Sequence, residues 1–311
     1  MSTRAGFAAV IGAPNAGKST LVNRLVGSKV TIVTQKAQTT RFQVRGVAMD
    51  GQAQIVLVDT PGIFRPRRRL DRAMVRAAWS GAHDADAVVH LVDAEAELAA
   101  AGSAAKAADR RSAEDVRTIV EGLKRADRTA ILALNKIDRV RRDDLLALTQ
   151  RLFDTGAYTE VFMISALDGS GVEDLKRRLA ALMPESPWLY PEDQAADLPA
   201  RLLAAEITRE KVYLRVHEEL PYAATVETTA FEERKDGSAR LEQTIYVERD
   251  SQRAILIGKG GQTLKWIGEA SRKELAEILG RTIHLFLTVK VKDNWAEDRA
   301  AYRDMGLDFD V

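Results

Sequence analysis

The sequence predicts an α/β domain with a mostly parallel sheet, followed by a smaller α+β domain. Three observations predict this arrangement. Short apolar runs alternate with helical patterns as far as residue 182. A glycine-rich loop lies between the first apolar run and the first helical pattern. A polar stretch with four prolines, residues 183–199, then separates this region from one in which the order of elements changes.

Length and composition limit the class of protein. At 311 residues the chain is long enough for two domains, which we place at 1–182 and 200–311, with 183–199 as the linker and a tail at the C-terminus. Cysteine is absent, which excludes disulfides, cysteine-ligated zinc and cysteine nucleophiles and favours a cytoplasmic location. We expect no signal peptide and no membrane-spanning helix. The net charge is only +1, so a basic surface must be local.

The elements of the first domain follow from apolar runs and their spacing. Residues 44–49 and 53–58 flank Asp50-Gly51, which predicts a hairpin. The alanine-rich segment 94–111 has no apolar period, and we predict a mobile surface insertion, with a frayed helix as the alternative. The other predicted strands are buried on both faces and lie at 7–11, 87–92, 129–134 and 161–164, and the predicted helices lie at 19–26, 112–126 and 172–182.

The second domain has a different order of elements. A helix is predicted over residues 201–212, and two strands are joined around Asp236-Gly237. The predicted order is α-β-β-α-α-β, with the strands at 222–232, 240–247 and 282–291 and the later helices at 252–257 and 262–279. No internal repeat is visible in the sequence.

Residues 12–19, Gly-Ala-Pro-Asn-Ala-Gly-Lys-Ser, fit the phosphate-binding pattern G-x-x-x-x-G-K-[ST]. The pattern lies between a strand and a helix, where backbone N–H groups and the helix dipole point at a polyphosphate. Lys18 can reach the β- and γ-phosphates, and the Ser19 hydroxyl can ligate Mg²⁺. The predicted phosphate-binding residues are Gly12, Asn15, Ala16, Gly17, Lys18, Ser19 and Thr20.

Two further segments complete the predicted phosphate and magnesium site. Asp59-Thr60-Pro61-Gly62 follows a strand, so Asp59 can hold Mg²⁺ through water and the Gly62 N–H can meet a γ-phosphate. In the segment 36–41 a threonine hydroxyl can complete the magnesium shell when a γ-phosphate is present. We favour Thr40, with Thr39 as the alternative. The predicted catalytic residues are Lys18, Thr40, Asp59 and Gly62, and the predicted magnesium ligands are Ser19, Thr40 and Asp59.

The segment Asn135-Lys136-Ile137-Asp138 predicts which base is bound. It lies at the carboxyl end of a strand, where open α/β sheets bind ligands. A carboxylate at Asp138 can accept from both N1–H and the 2-amino group of guanine, whereas adenine would leave it unsatisfied. Lys136 can lie along the base plane and Asn135 can tie this loop to the phosphate loop. Backbone N–H groups of Ser165, Ala166 and Leu167 are placed to contact the base.

Together these motifs resemble the translation-factor class of GTPases, which implies GTP as substrate and GDP as product. Ile63 stands where Ras-like enzymes carry a water-orienting glutamine, so slow intrinsic turnover is expected. Asn15 occupies a position that a subset of this class uses to hold a monovalent cation, which implies K⁺. The basic run 65–72, with Arg76, is interpreted as a solvated face or an RNA contact.

A second motif lies in the second domain. Gly258-Lys259-Gly260-Gly261 fits the G-x-x-G loop with which KH domains clamp four unpaired nucleotides. Between residues 253 and 292 the chain carries eight Lys or Arg and three Glu, a local net charge of +5. This basic sector in a nearly neutral chain favours a groove for single-stranded RNA, with Gly258, Lys259, Gly260 and Gly261 as the predicted RNA-binding residues.

Over nearly its whole length the chain resembles the Era family of bacterial ribosome-assembly GTPases. The resemblance includes the segments 36–41, 219–222 and 289–295. It implies binding near the 3′ end of small-subunit (16S) ribosomal RNA, maturation of the 30S ribosomal subunit, and peripheral association with the inner face of the cell membrane. We expect a monomer. The alternatives are a metabolic P-loop kinase or ATPase, which residues 135–138 disfavour, and a constitutive RNA-binding module, which the intact nucleotide motifs disfavour.

Overall fold

The computed structural model describes residues 2–36, 38–216 and 220–311, which form two compact units. The first unit contains residues up to Thr31, residues Thr40–Asp197 and the C-terminal segment Met305–Val311. The second contains Ile32–Thr39 and Leu198–Asp304. Ala37 and Glu219, which belong to two of the segments that resemble Era proteins, lie outside the described residues.

The first unit is built on a seven-stranded sheet in the order β6-β5-β4-β1-β3-β2-β7. Strands β1, β3, β4, β5 and β6 run parallel, and β2 pairs antiparallel with β3 and β7. The mostly parallel sheet that the alternating pattern predicts is therefore confirmed. The strands are β1 Arg4–Ile11, β2 Val44–Asp50, β3 Ala53–Asp59, β4 Ala87–Asp93, β5 Ala130–Asn135, β6 Tyr158–Met163 and β7 Ala196–Asp197.

Helices cover both faces of this sheet. They are α1 Lys18–Val26, α2 Arg69–Asp84, α3 Ala94–Ala101, α4 Ala107–Arg125, α5 Arg142–Phe153 and α6 Val172–Leu182. One core contains Leu21 of α1 and Leu179 of α6. A second core contains Ala78 of α2, Ile119 of α4 and Leu148 of α5. Strands β3, β4 and β5 are buried along their whole length, so their sequences are nearly continuous apolar runs, interrupted within the strands only by Gln54 and His90.

The prediction of a mobile insertion over residues 94–111 is wrong, and the helical alternative is nearer to the structure. Residues Ala94–Ala101 form α3, and α4 already begins at Ala107. Alanine has the highest intrinsic helix propensity, and Asp93 caps the helix through its side chain. Ala94 and Ala96 are buried. The short alanine side chains hide the apolar period because they pack closely without being strongly hydrophobic.

The second unit contains a three-stranded sheet in the order β10-β9-β8. β9 runs parallel to β10 and antiparallel to β8, and helices α7 and α10 contact each other beside this sheet. The predicted order α-β-β-α-α-β is confirmed, with two short helices added. The elements are α7 Ala200–Arg215, α8 Leu220–Ala223, β8 Thr225–Glu233, β9 Ala239–Val247, α9 Asp250–Ile257, α10 Gln262–Leu279, β10 Ile283–Val291 and α11 Arg299–Asp304.

The structure extends the first unit beyond the predicted limit at residue 182. Most of the predicted linker 183–199 packs on the β2–β3 hairpin: Val47 N donates to Ala195 O at 2.8 Å, and Gln54 Nε2 donates to Tyr190 O at 2.8 Å. The C-terminal segment lies against α2, where the Arg69 guanidinium is 4.3 Å from the Phe309 ring centre. Composition does not reveal these contacts because they form between segments distant in sequence. Among the described residues no helix is both long and apolar enough to cross a membrane.

Candidate nucleotide and RNA sites

The phosphate loop lies between the end of β1 and the start of α1, and two of its glycines are required by close contacts. A Cβ on Gly12 would lie 2.4 Å from the carbonyl oxygen of Leu91. Gly17 has a φ of 101°, and a Cβ there would lie 2.4 Å from Asn135 Nδ2. Only glycine permits these approaches without displacing the backbone or the neighbouring strand. The loop is therefore fixed against the sheet, with α1 starting at Lys18.

Lys18 is buried, and its ammonium group lies against the loop itself. Nζ donates to Gly12 O at 3.2 Å and to Ala13 O at 2.9 Å. Burial lowers the pKa of Lys18 to about 8, and the negative charge of Asp59 opposes this shift. A cation at this point of the loop can contact the outer phosphates of a nucleotide.

Asp59, at the end of β3, is fully buried and gathers three hydroxyl groups. Its Oδ2 accepts from Ser19 Oγ at 2.7 Å, Thr31 Oγ1 at 2.8 Å and Thr40 Oγ1 at 3.3 Å. Ser19 Oγ is also 2.9 Å from Thr40 Oγ1. Burial raises the pKa of Asp59, and the hydrogen bonds from these hydroxyls oppose the rise. The three predicted magnesium ligands therefore lie together.

This group of oxygens fits a hard divalent cation. One carboxylate and two hydroxyls suit Mg²⁺, which proteins hold through few side chains together with water and substrate phosphates. Within the described part of the chain Asp59 Oδ1 is buried and accepts no hydrogen bond, so it is a further oxygen for such a site. Thr31 was missed by sequence reasoning. No local pattern marks it, because the fold alone brings it to Asp59.

The two candidate threonines differ in their contacts. The Thr40 hydroxyl lies beside Ser19 and Asp59, as described above. The Thr39 hydroxyl instead donates to Lys36 O at 2.7 Å and lies 2.6 Å from Thr34 Oγ1. The structure therefore favours Thr40 over Thr39 as the hydroxyl of the phosphate and magnesium site.

The loop after β3 returns to the phosphate loop. Ile63 N donates to Gly12 O at 3.0 Å, and the Ile63 side chain is buried. A Cβ on Gly62 would lie 3.0 Å from Pro14. Gly62 is thus positioned at the phosphate loop, whereas Ile63 cannot orient a water molecule through a polar group.

Asn135 joins the base end of the site to the phosphate end. Its Nδ2 donates to Ala16 O at 2.7 Å, and its Oδ1 accepts from Ala166 N at 2.9 Å. One buried side chain therefore connects the phosphate loop, the end of β5 and the loop at Ser165 and Ala166. This is the connection to the phosphate loop that the sequence predicts for Asn135.

The remaining predicted residues of the base end differ in their exposure. Asp138 lies in a short 3₁₀ turn, Ile137–Arg139, and its side chain is 27% exposed. Lys136 adopts a φ of 64° and pairs with Asp93. Ser165 is buried, whereas Leu167 is exposed and its carbonyl accepts from Arg24.

Two predicted residues of the phosphate loop remain. Asn15, with a φ of 64°, is exposed, and Thr20 is half-buried in the first turn of α1.

In the predicted RNA loop, Gly258–Gly261, three of the four residues are glycine, so the loop presents mainly backbone groups. Gly258, Gly260 and Gly261 have φ values of 73°, 59° and 77°. A 3₁₀ turn, Lys259–Gly261, connects α9 to the start of α10, and none of its residues is buried. A Cβ on Gly258 would lie 2.3 Å from Thr263 Oγ1. An exposed turn of glycines at a helix start permits close approach by a phosphate backbone.

Comparison with known families identifies both parts of the chain. Residues 7–136 match the family described as 50S ribosome-binding GTPase, and residues 219–296 match the KH domain. The GTPase Era of Caulobacter vibrioides is 74% identical over 309 residues, which cover 99% of this chain and 98% of that protein. The GTPase Era of Rhizobium meliloti is 58% identical, with 99% of this chain and 94% of that protein covered.

Two solved structures are similar over almost the whole chain. A variant of Era from Aquifex aeolicus bound to GDP and AlF₄⁻ is 35% identical, with a TM-score of 0.88 and coverage of 98% of this chain and 99% of that one. An Era structure with MgGDPNP and nucleotides 1506–1542 of 16S ribosomal RNA is also 35% identical, with a TM-score of 0.87 and the same coverage. The chain combines a P-loop GTPase domain with a KH domain and belongs to the Era family of GTPases.

Proposed function

We propose that this GTPase is a switch that binds and hydrolyses GTP and holds small-subunit ribosomal RNA near its 3′ end through the loop Gly258–Gly261. We propose further that it assists maturation of the 30S subunit. The observation that carries the nucleotide part is Asn135, which connects the phosphate loop to both base-contacting loops. This connection fixes the distance between the phosphate-binding and base-reading groups.

Recognition of guanine is assigned to Asp138. Its carboxylate is accessible beside the connected loops and has the two acceptor oxygens that N1–H and the 2-amino group require. Lys136 can lie along the base plane, and the backbone at Ser165, Ala166 and Leu167 can contact the base. An adenine ring would leave the carboxylate unpaired, which rejects ATP.

At the phosphate end the chain positions and neutralises the γ-phosphate. Lys18 supplies positive charge, and the Gly62 N–H is offered from a loop held by Ile63 to the phosphate loop. Ser19, Thr40 and Asp59 would hold Mg²⁺, which when bound neutralises charge on the β- and γ-phosphates. Since Ile63 has no group that orients water, the intrinsic rate is expected to be slow. Asn15 would hold K⁺ beside the phosphates.

The RNA part of the proposal is supported by geometry, charge and family. The glycine loop is exposed and starts α10, and the surrounding sector carries the local net charge of +5. A family member of the same fold has been solved with a 16S rRNA fragment. We propose a monomer in the cytoplasm with peripheral association with the inner face of the cell membrane.

Sequencing of RNA crosslinked to the protein in cells, together with GTP and ATP titrations of the purified protein, tests this function. We expect crosslinks concentrated near the 3′ end of small-subunit rRNA and binding of GTP but not ATP. Preference for ATP would favour a metabolic kinase or ATPase. Absence of GTP turnover would favour a constitutive RNA-binding module, and crosslinks confined to other RNAs would contradict the ribosomal role.

A further inference from the structure

Helix α3 contacts the predicted guanine-reading loop. It begins at Ala94, directly after β4, and it contacts α4, α5 and the 3₁₀ turn Ile137–Arg139. Within α3, Ala94, Ala96 and Glu97 are buried. A packed helix beside the loop that carries Asp138 can fix the position of that loop, whereas a solvent-exposed insertion cannot.

Asp93 connects the start of α3 to the guanine-reading loop through a single carboxylate. Its Oδ1 accepts from Ala96 N at 3.1 Å, which caps the helix. Its Oδ2 pairs with Nζ of Lys136, the residue that adopts a left-handed φ of 64°. Lysine in this backbone region is strained, so surrounding contacts must hold it there. Asp93 is such a contact, and the same carboxylate caps α3.

Two ion pairs connect α3 to the chain that follows Lys136. Arg139 Nη1 lies 3.2 Å from Glu95 Oε2, and Arg139 Nε lies 3.9 Å from Oδ2 of the adjacent Asp138. Arg151 Nη2, on α5, lies 2.7 Å from Glu97 Oε2. Arg139 and Arg151 thus extend from the loop and from the helix after it, and both reach carboxylates of α3.

The two pairs differ in the exposure of their carboxylates. The side chains of Arg139 and Glu95 are 51% and 48% exposed, so water screens their interaction. The side chain of Arg151 is also 51% exposed, but that of Glu97 is only 7% exposed. Burial raises the pKa of Glu97, and the charge of Arg151 opposes that rise. Arg151 therefore attracts the buried Glu97 carboxylate from the half-exposed surface of α5, and a neutral residue at position 97 removes this attraction between the two helices.

We propose that α3 is a positioning element for guanine recognition, with Glu97 as its main anchor and Asp93 and Glu95 as its contacts to the loop. The proposal rests on the proposed reading of guanine by Asp138. Glu97 connects α3 to α5, and contacts from Asp93 and Glu95 hold Lys136 and Arg139 on either side of Asp138. Loss of the anchor allows Asp138 to move relative to the base edge.

The test measures the ratio of GTP affinity to ITP affinity. Inosine keeps N1–H but lacks the 2-amino group, so the ratio reports how well Asp138 reaches that group. Changes in phosphate binding affect both nucleotides equally and cancel. For Glu97→Gln, which keeps the shape and removes the charge, we expect the ratio to fall at least about fivefold, the loss of part of one charged hydrogen bond.

A matched control removes the same charge elsewhere in the first unit. Glu160 of β6 pairs with Arg178 of α6, with Oε1 2.5 Å from Nη2. Glu160→Gln should leave the ratio of GTP to ITP affinity unchanged. Arg139→Gln changes a half-exposed side chain and leaves the Glu97–Arg151 pair intact. It should lower the ratio of GTP to ITP affinity to a smaller extent. This second variant tests the proposal if Glu97→Gln fails to fold.

The outcomes are distinguishable. If the unmutated protein does not prefer GTP to ITP, the assignment of Asp138 is wrong and the proposed function fails first. If the unmutated protein prefers GTP, and both Glu97→Gln and Arg139→Gln give folded proteins with an unchanged ratio, α3 has no role in base reading. A lower ratio of GTP to ITP affinity in Glu97→Gln and Arg139→Gln, with an unchanged ratio in Glu160→Gln, supports the proposal.

Discussion

The nucleotide site and the RNA loop are built in opposite ways. At the nucleotide site most of the positioning groups are buried side chains: Lys18, Asp59 and Asn135 are at most 6% exposed, and Asp138, the proposed base reader, is 27% exposed. At the RNA loop the deciding group is backbone, because three of the four residues are glycine and none is buried. Buried polar side chains must find matching partners, so they select one ligand. An exposed glycine turn accepts any phosphate backbone of suitable shape.

This difference predicts where single substitutions act. A change of one side chain at the nucleotide site should alter which nucleotide is bound. A change of the Lys259 side chain alone should alter RNA affinity only moderately, since a single exposed charge contributes little. At the RNA loop the backbone conformation, and hence the glycines, should be decisive.

The largest effect is expected from Asp138→Asn. The amide offers a donor where guanine also offers donors, so GTP affinity should fall by about 100-fold or more. The same amide can donate to the carbonyl at the 2-position of xanthine, so binding of xanthosine triphosphate should appear. Parallel titrations with GTP and xanthosine triphosphate measure this change in base preference. A variant that keeps the GTP affinity of the unmutated protein would show that Asp138 does not read the base.

Gly258→Ala tests the backbone side of the comparison. Its Cβ would lie 2.3 Å from Thr263 Oγ1 at a φ of 73°, so we expect a loss of about 1–3 kcal/mol in the free energy of unfolding and weaker RNA binding. Gly261→Ala is the matched control, because its φ is 77° but no atom lies within 4 Å of a Cβ. It should cost only about 1 kcal/mol. Chemical denaturation gives the free energy of unfolding of both variants. Equal losses would show that the close contact with Thr263 does not cause the effect of Gly258→Ala.

The burial of Lys18 predicts a pH dependence of nucleotide binding. Its pKa is lowered to about 8, so the free protein loses this charge above that pH, whereas bound phosphates favour the charged form. GTP affinity should therefore be constant below pH 8 and fall by up to about tenfold per pH unit above it. Lys18→Arg keeps its charge and should bind GTP without this fall.

Fluorescence titrations between pH 7 and 9 measure this dependence, and the arginine variant corrects for ionisation of the nucleotide itself. The stability of the nucleotide-free protein should follow the opposite trend. Between pH 8 and the ordinary lysine value of 10.5, the unfolded chain holds a proton that the folded, nucleotide-free chain has lost. This group therefore raises the free energy of unfolding as the pH increases. Identical affinities at pH 7 and 9 in the unmutated protein would contradict the assignment.

The smallest effect is expected from the monovalent cation. If Asn15 holds K⁺ beside the phosphates, GTP hydrolysis should be a few-fold faster in KCl than in NaCl at equal ionic strength. Asn15→Ala should remove the difference. Phosphate release assays in both salts measure it, and equal rates in the unmutated protein would exclude this role.

How far the sequence predicts the molecule depends on how local each signal is. The strand and loop motifs are local, so the sheet, the phosphate loop and Gly258–Gly261 could be predicted. The pairs Glu97–Arg151 and Asp59–Thr31 join residues far apart in the chain. No sequence pattern around Glu97 or Thr31 predicts these contacts. Helix α3 itself was not the favoured prediction for a different reason, because alanine packs closely but gives little hydrophobic periodicity.

The proposed function requires that Gly258–Gly261 binds RNA, and it predicts that nucleotide binding does not depend on this loop. The double variant Lys259→Asp/Gly260→Asp places two carboxylates in this exposed loop, and no atom lies within 4 Å of a Cβ at Gly260. Lys235→Asp/Gly237→Asp makes the same charge change in the β8–β9 turn, where Gly237 also has positive φ and open space.

Filter binding of a single-stranded oligonucleotide with the 3′-end sequence of small-subunit rRNA, beside GTP titration and a thermal melt, tests this claim most directly. We predict that Lys259→Asp/Gly260→Asp melts normally, binds GTP as the unmutated protein does and binds no RNA within the titrated range, whereas the control variant keeps both activities. Retained RNA affinity in the folded Lys259→Asp/Gly260→Asp variant would contradict the assignment of Gly258–Gly261 to RNA binding and would show that the loop is only a helix corner.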